Sequence, residues 1–187
     1  PPASSGTITA PDLALSLGDG GSIRTYASFV TTGDLVFSTP EIVLGSLTTD
    51  GLVDLRATNG ALTVGNINAT EARLTATGNV QAGVATLGTQ QGRGFLAATS
   101  ANGSVSLGGA TAGEVVLSGL VGVSAGALTA SNIYAVTGGN LTVSGAWRAQ
   151  SISGTSSDIT ITSNGAMFAQ SSIDLGSTST TQTIVGD

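Results

Sequence analysis

Triplets in which two apolar side chains flank a small polar one punctuate most of this chain. Examples are Leu62-Thr63-Val64, Leu74-Thr75-Ala76, Val105-Ser106-Leu107, Leu141-Thr142-Val143 and Ile159-Thr160-Ile161. A period of two sends alternate side chains to opposite faces, so each triplet reads as a short strand with one dry and one hydroxyl-bearing face. Gly or Asn-Gly stands between many of them, at Asn59-Gly60, Gly78-Asn79, Asn102-Gly103, Gly139-Asn140 and Asn164-Gly165. These residues tolerate the backbone angles of tight corners. No segment keeps a 3.6-residue apolar stripe for three turns, and the abundant Gly and Thr disfavour helix.

A second, longer period decides how such strands stack. One apolar series runs Leu74, Phe95, Val116, Tyr134, Ile152, Ile173, and another runs Val64, Val84, Val105, Val123, Val143, Ile161. Their steps of about 18–21 residues lie in the range of repeat architectures. Two interleaved series at one period predict at least two sheets, each receiving one strand per turn. The expected fold is all-β: a parallel β-helix (β-solenoid) of roughly nine turns of about 20 residues, a rod about 40 Å long at the strand spacing. Asn-Gly between strands is also the strongest hairpin signal, so an antiparallel β-sandwich is the alternative. All four prolines, Pro1, Pro2, Pro11 and Pro40, stand in the first 40 residues, together with bulky Phe29 and Phe37. Proline cannot donate to a central ladder. Residues 1–40 therefore read as irregular first turns or a cap, and 41–187 as the solenoid repeats.

Composition supports thin, repeated layers. Apolar residues make up 40% of the 187, yet aromatics are only 4% and charged residues 9%. A core with so few rings must be filled by stacked Val, Ile, Leu and Ala. Disorder wants low hydrophobicity and high net charge; here mean hydropathy is +0.34 and net charge −6. The uncharged stretch from Val115 to Trp147 is broken throughout by Gly, Ser, Thr and Asn, so it holds no run long enough for a spanning helix. Seven scattered rings do not supply the aromatic girdles of an outer-membrane barrel.

Chemistry-bearing residues are sparse. The chain has no His, Lys or Cys, which removes His-based triads, thiolate metal sites and disulfides. Its five arginines are scattered and its balance is acidic, so nucleic acid is not an expected partner. Asp50 and Asp54 flank Gly51-Leu52-Val53, but a carboxylate pair needs convergence across a cleft, and both read as corner residues. Gly18-Asp19-Gly20-Gly21 resembles part of a Ca²⁺ loop; it occurs once, without tandem repetition, and reads as a turn. Asn68, Asn102 and Asn140 open glycosylation-type triplets, as chance alone provides in so Asn-, Ser- and Thr-rich a chain. Thr7-Ile8-Thr9 and Thr160-Ile161-Thr162 suggest outward Thr ladders, but these are not expected to repeat in register. Trp147, Arg148 and Tyr134 are the candidate ligand-binding residues, as an exposed stacking site for sugar. No metal or cofactor site is expected.

Asn59-Gly-Ala-Leu-Thr-Val64, Gly139-Asn-Leu-Thr-Val-Ser-Gly145 and Ser163-Asn-Gly-Ala166 resemble the degenerate repeats of filamentous-haemagglutinin-type adhesins. The resemblance covers roughly residues 47–176 and is shared by autotransporter passengers and holdfast-type surface anchors. It implies a right-handed parallel β-helix, secretion by the two-partner route and a place on the bacterial cell surface or outer membrane. The Asn-Pro-Asn motif of that family's export domain is absent, and no functional residue carries over. Pro1 is not a start residue and no signal peptide is visible, as expected of a processed, exported chain. The expected role is a non-catalytic structural or adhesive shaft. Its expected partners are outer-membrane export or anchoring machinery, other protein subunits and host or surface glycans. A carbohydrate-binding or carbohydrate-active β-helix, and a subunit of a self-assembling extracellular filament or anchor complex, are the alternatives.

Overall fold

The computed structural model describes residues 6–18, 20–88 and 94–178, and the backbone of 182–184. The described residues form strands, turns and bends, without a helix. Every strand pairing is parallel, and the chain winds as a solenoid of about nine turns. The antiparallel sandwich is thereby excluded.

Each coil lays one strand on each of three faces. Face I begins with Thr7–Ala10, Ser28–Thr31, Leu47–Thr49 and Ile67–Ala69. Face II begins with Leu13–Ser16, Leu35–Thr39, Leu52–Ala57 and Glu71–Ala76. Face III begins with Ser22–Arg24, Glu41–Leu44 and Leu62–Val64. Further along, Val80–Leu87, Ser104–Thr111 and Gly122–Thr129 each run unbroken from face III of one coil into face I of the next. Ala146–Ser156 and Ala166–Ser177 instead join faces I and II, with a register shift between Ala149 and Ser151.

Inward positions stack residue on residue. On face II, Leu35, Val53, Ala72, Leu96, Val115, Ile133 and Ile152 lie in consecutive coils. None is more than 1% exposed. Burying each Val, Leu or Ile contributes about 1.5–3 kcal/mol, and a coil gains that burial only from the coils above and below it. The few rings fill wider places. Phe29 and Phe37 meet edge to face in the second coil, 5.6 Å between centroids, and Trp147 stands between Leu128 and Met167 on face I.

Strands on both sides of Pro40 belong to the same ladders: Leu13, Leu35 and Val53 are successive partners, as are Ile23, Ile42 and Leu62. Pro11 and Pro40 stand between strands, at corners where no ladder bond is required; Pro1 and Pro2 lie outside the described residues.

The apolar series chosen from sequence are only partly the stacked rows. Val105–Val123, Val143–Ile161, Val116–Tyr134 and Ile152–Ile173 are true partners. Val64, however, stacks on Ala82, and Leu74 on Ala98. Val84 points outward and is 49% exposed, and Val116–Tyr134 is an outward pair. Small Ala and Gly occupy many of the true partner positions, so a search for large apolar residues slips out of register by one to four positions, and an odd slip along a strand changes the face.

Corners are closed by bonds that reach one coil onward. Asp12 Oδ1 accepts from the Asp34 N–H, Asp34 Oδ1 from Leu52 N–H, Asn66 Oδ1 from Val84 N–H and Asn79 Oδ1 from Ser104 N–H, each at 2.9 Å. Hydroxyls do the converse: Thr70 donates to the Asp50 carbonyl, Thr77 to Thr58 and Ser100 to Gly78. The buried polar residues Thr31, Thr39, Thr49, Ser100, Thr137 and Ser156 sit at or near strand ends, next to corners. Hydroxyls therefore occupy both sides of the wall, not just its outside.

Candidate functional site

The outer walls are the surfaces through which this solenoid can meet a partner, and each has its own chemistry. Face II carries charge. Its outward row is Val36, Asp54, Arg73, Ala97, Val116, Tyr134, Ser153 and Asp174, and Arg73 also pairs with Glu71 at 3.8 Å.

Faces I and III carry mostly uncharged rows in register, although the face I row continues into Arg148 and face III holds the Arg24–Glu41 ion pair at 2.6 Å. On face I, Thr48, Asn68, Thr86, Thr111 and Thr129 follow one another through five coils, and all are exposed. On face III the row is Thr63, Gln81, Ser106, Ser124, Thr142 and Thr160. The Thr-x-Thr motifs do not themselves repeat, Thr7 and Thr9 stacking on Ser28 and Val30, but mixed polar ladders do align. They were illegible because Ser, Asn and Gln substitute for Thr along them and the coil step is uneven: Val80 stacks on Val105, whereas Val105, Val123 and Leu141 follow at 18-residue steps. Neighbouring side chains bond along the wall of face III, with Asn140 Nδ2 donating to Thr160 Oγ1 at 3.1 Å, and on face II Ser151 Oγ donates to Asn132 Oδ1 at 2.7 Å.

The three candidate ligand residues do not converge. Trp147 is fully buried, and its indole N–H donates to the Gly126 carbonyl at 3.0 Å, so its ring is unavailable for stacking on a ligand. An indole removes more apolar surface from water than any other side chain, and a core acceptor meets its one polar atom. Tyr134 is 46% exposed but on face II, whereas Arg148 lies on face I.

Arg148 has a different partner. Its guanidinium lies 4.4 Å from the ring centroid of Phe168, directly above it in the ladder. A cation held over an exposed ring gains about 0.5–1 kcal/mol. The two side chains line a surface hollow of about 350 Å³ with Thr129, Ala149, Ala169 and Gln170. No ion pair within 4 Å engages Arg148 among the described residues, so its N–H fork is free for a planar acceptor such as a carboxylate. Phe168 escaped sequence reasoning because its link to Arg148 is one coil long; the outward place of both in successive strands is the only signal.

The remaining motifs stand apart from this hollow. Asp50 lies at the corner between faces I and II, while Asp54 stands on face II beside Arg73 of the next coil. Among the described residues, no three acidic side chains gather as metal ligands would. In the Gly18–Gly21 turn the Gly21 N–H donates to the Gly18 carbonyl at 3.1 Å and Gly20 has φ of 100°; Asp19 lies outside the described residues. Comparison of the chain with protein-family models, curated proteins and solved structures gives no match.

Proposed function

We propose that this chain is a non-catalytic shaft segment of a secreted bacterial surface protein, whose lateral walls make adhesive contact. The observation that supports this reading best is the continuity of the three parallel ladders, from the first strands to the last, over one stacked apolar interior. Such a wall transmits load along the axis through many hydrogen bonds in parallel. The outward rows of faces I and III offer repeated, mostly uncharged hydrogen-bonding groups in place of one concentrated cleft. The cell-surface setting rests on the resemblance of the repeats to those of filamentous adhesins.

Beads coated with the chain test the reading. They are expected to adhere to cells or polysaccharide-coated surfaces, and single changes of outward acids, such as Asp50→Ala or Asp54→Ala, are expected to leave adhesion intact. A polysaccharide-cleaving activity lost in one such variant would overturn the proposal.

A second reading, favoured by the Arg148–Phe168 pair, is that the face I hollow holds a sugar ring bearing a carboxylate. Arg148 would engage the carboxylate, with Thr129 and Gln170 beside the ring hydroxyls. Binding to acidic glycans on an array, lost in both Arg148→Ala and Phe168→Ala, would support it; binding by both variants as strong as that of the unmodified chain would rule it out.

A further inference from the structure

Three Asn-Gly pairs stand at corners of the solenoid: Asn59-Gly60, Asn102-Gly103 and Asn164-Gly165. All three asparagines are exposed. An asparagine followed by glycine carries its own nucleophile, because the next backbone nitrogen lies within reach of the side-chain carbonyl carbon and no Cβ shields it. The structure treats that nitrogen differently at the three corners. Gly103 is buried and its N–H donates to Ser100 Oγ at 2.9 Å. The Gly165 N–H donates to the Thr162 carbonyl at 2.8 Å. The Gly60 N–H meets no acceptor among the described residues, and the Asn59 carboxamide makes no hydrogen bond there either. The groups on both sides of this peptide are tied down: Asn59 N–H donates to the Pro40 carbonyl at 3.1 Å, and the Gly60 carbonyl accepts from Gly78 N–H at 2.8 Å.

We propose that Asn59 is a modification site at which the folded chain deamidates itself through a cyclic imide. The Gly60 nitrogen bonds to Asn59 Cγ and gives up its proton to solvent. The bond from Cγ to the side-chain nitrogen breaks, and that nitrogen leaves as ammonia. Water then opens the imide. Attack at Cγ returns an ordinary aspartate, and attack at the main-chain carbonyl gives isoaspartate. No electrons change hands, and water is the only co-reactant.

Both products add one negative charge to a chain whose net charge is −6. Isoaspartate also brings Cβ into the main chain, which lengthens the corner between Leu52–Ala57 and Leu62–Val64 by one bond. The bonds to Pro40 and Gly78 flank that insertion, so the conversion loosens one coil against its two neighbours. The proposal rests on corner geometry and is independent of the shaft reading.

Ageing of the purified, folded chain in mildly alkaline buffer tests it, with peptide mass spectrometry following each asparagine and parallel samples held in concentrated urea. Freeing a held N–H costs the net worth of one hydrogen bond, so Asn59 is expected to convert about two- to tenfold faster than Asn102 or Asn164. In urea the three rates are expected to converge, since folding sets the difference. Hydrogen exchange at the Asn59 and Gly78 amides is expected to quicken in the isoaspartyl product. Ser100→Ala removes the acceptor of Gly103 N–H and, where circular dichroism shows the β fold kept, is expected to speed conversion at Asn102 alone. Equal rates at the three sites in the folded chain would overturn the proposal. So would a lead for Asn59 that persists unchanged in urea, because sequence rather than structure would then select the site.

Discussion

The first four coils and the later ones hold their corners in different ways. In the earlier part, glycine corners are supplemented by side-chain caps: Asp12, Asp34, Asn66 and Asn79 each accept a backbone N–H from the coil above. Close approach operates in both parts, a Cβ on Gly45 lying 2.5 Å from the Tyr26 and Ala27 carbonyl oxygens, but among the described residues the later part relies on it without Asp or Asn caps. A Cβ on Gly126 would lie 2.1 Å from the Gly108 carbonyl oxygen, and one on Gly139 would lie 1.7 Å from that of Val121. The caps accompany broken strands, as between Leu62–Val64 and Ile67–Ala69, whereas Gly83, Gly108 and Gly126 sit within strands that run straight across the same corner. A cap adds a bond that fixes register but requires a kink to reach it. A glycine lets backbones stack face to face and leaves register to the core. The later coils should therefore depend more on interior packing and on the absence of Cβ atoms, and the earlier ones should tolerate corner changes.

The most severe test of that contrast is Trp147→Ala. It empties a fully buried site and leaves the Gly126 carbonyl without its indole donor, with an expected loss of about 3–5 kcal/mol in denaturant unfolding. Next is Gly126→Val, whose Cβ meets backbone that cannot step aside; about 3 kcal/mol is expected, with the loss of protection from hydrogen exchange centred on the later coils. The matching change in the earlier half, Asp34→Ala, removes one cap and should cost about 0.5–1 kcal/mol. Asp34→Asn keeps the acceptor oxygen and should recover most of that loss. If Asp34→Ala proved as damaging as Gly126→Val, the two halves would not differ in the way described. The smallest effect is expected from Arg148→Ala, within about 0.5 kcal/mol by thermal unfolding, because it removes an exposed cation–π contact from the outer wall.

Much of the architecture was legible from the triplets, and the reason is geometric: an apolar–polar–apolar run has an inside and an outside whatever strand it pairs with. Partner choice was less legible. Val84 looks like Val64 and Val105 in sequence, yet it faces solvent, because the Val80–Leu87 strand turns the corner from face III to face I through Gly83. A better marker was present in the glycines. Gly65, Gly83, Gly108 and Gly126 lie one over another at that corner and trace the coil period through its uneven step. The candidate site was the least legible part. Trp147 and Arg148 are neighbours in sequence, so the wall separates them, one inside and one out. Arg148 and Phe168 are a whole coil apart and touch.

By itself the sequence determined that this chain makes short alternating strands, that they return once per coil, and that no histidine, cysteine or lysine chemistry is available. Those properties are local, or are set by composition. Only the tertiary structure decided which strand lies on which, which hydroxyls line up into ladders, and that the tryptophan fills the core while an arginine and a phenylalanine meet on the wall. The physical reason is that coils of nearly equal volume and polarity offer many near-equivalent registers. The choice among them is made by corner lengths, by places with no room for a Cβ, and by burial summed over the whole stack.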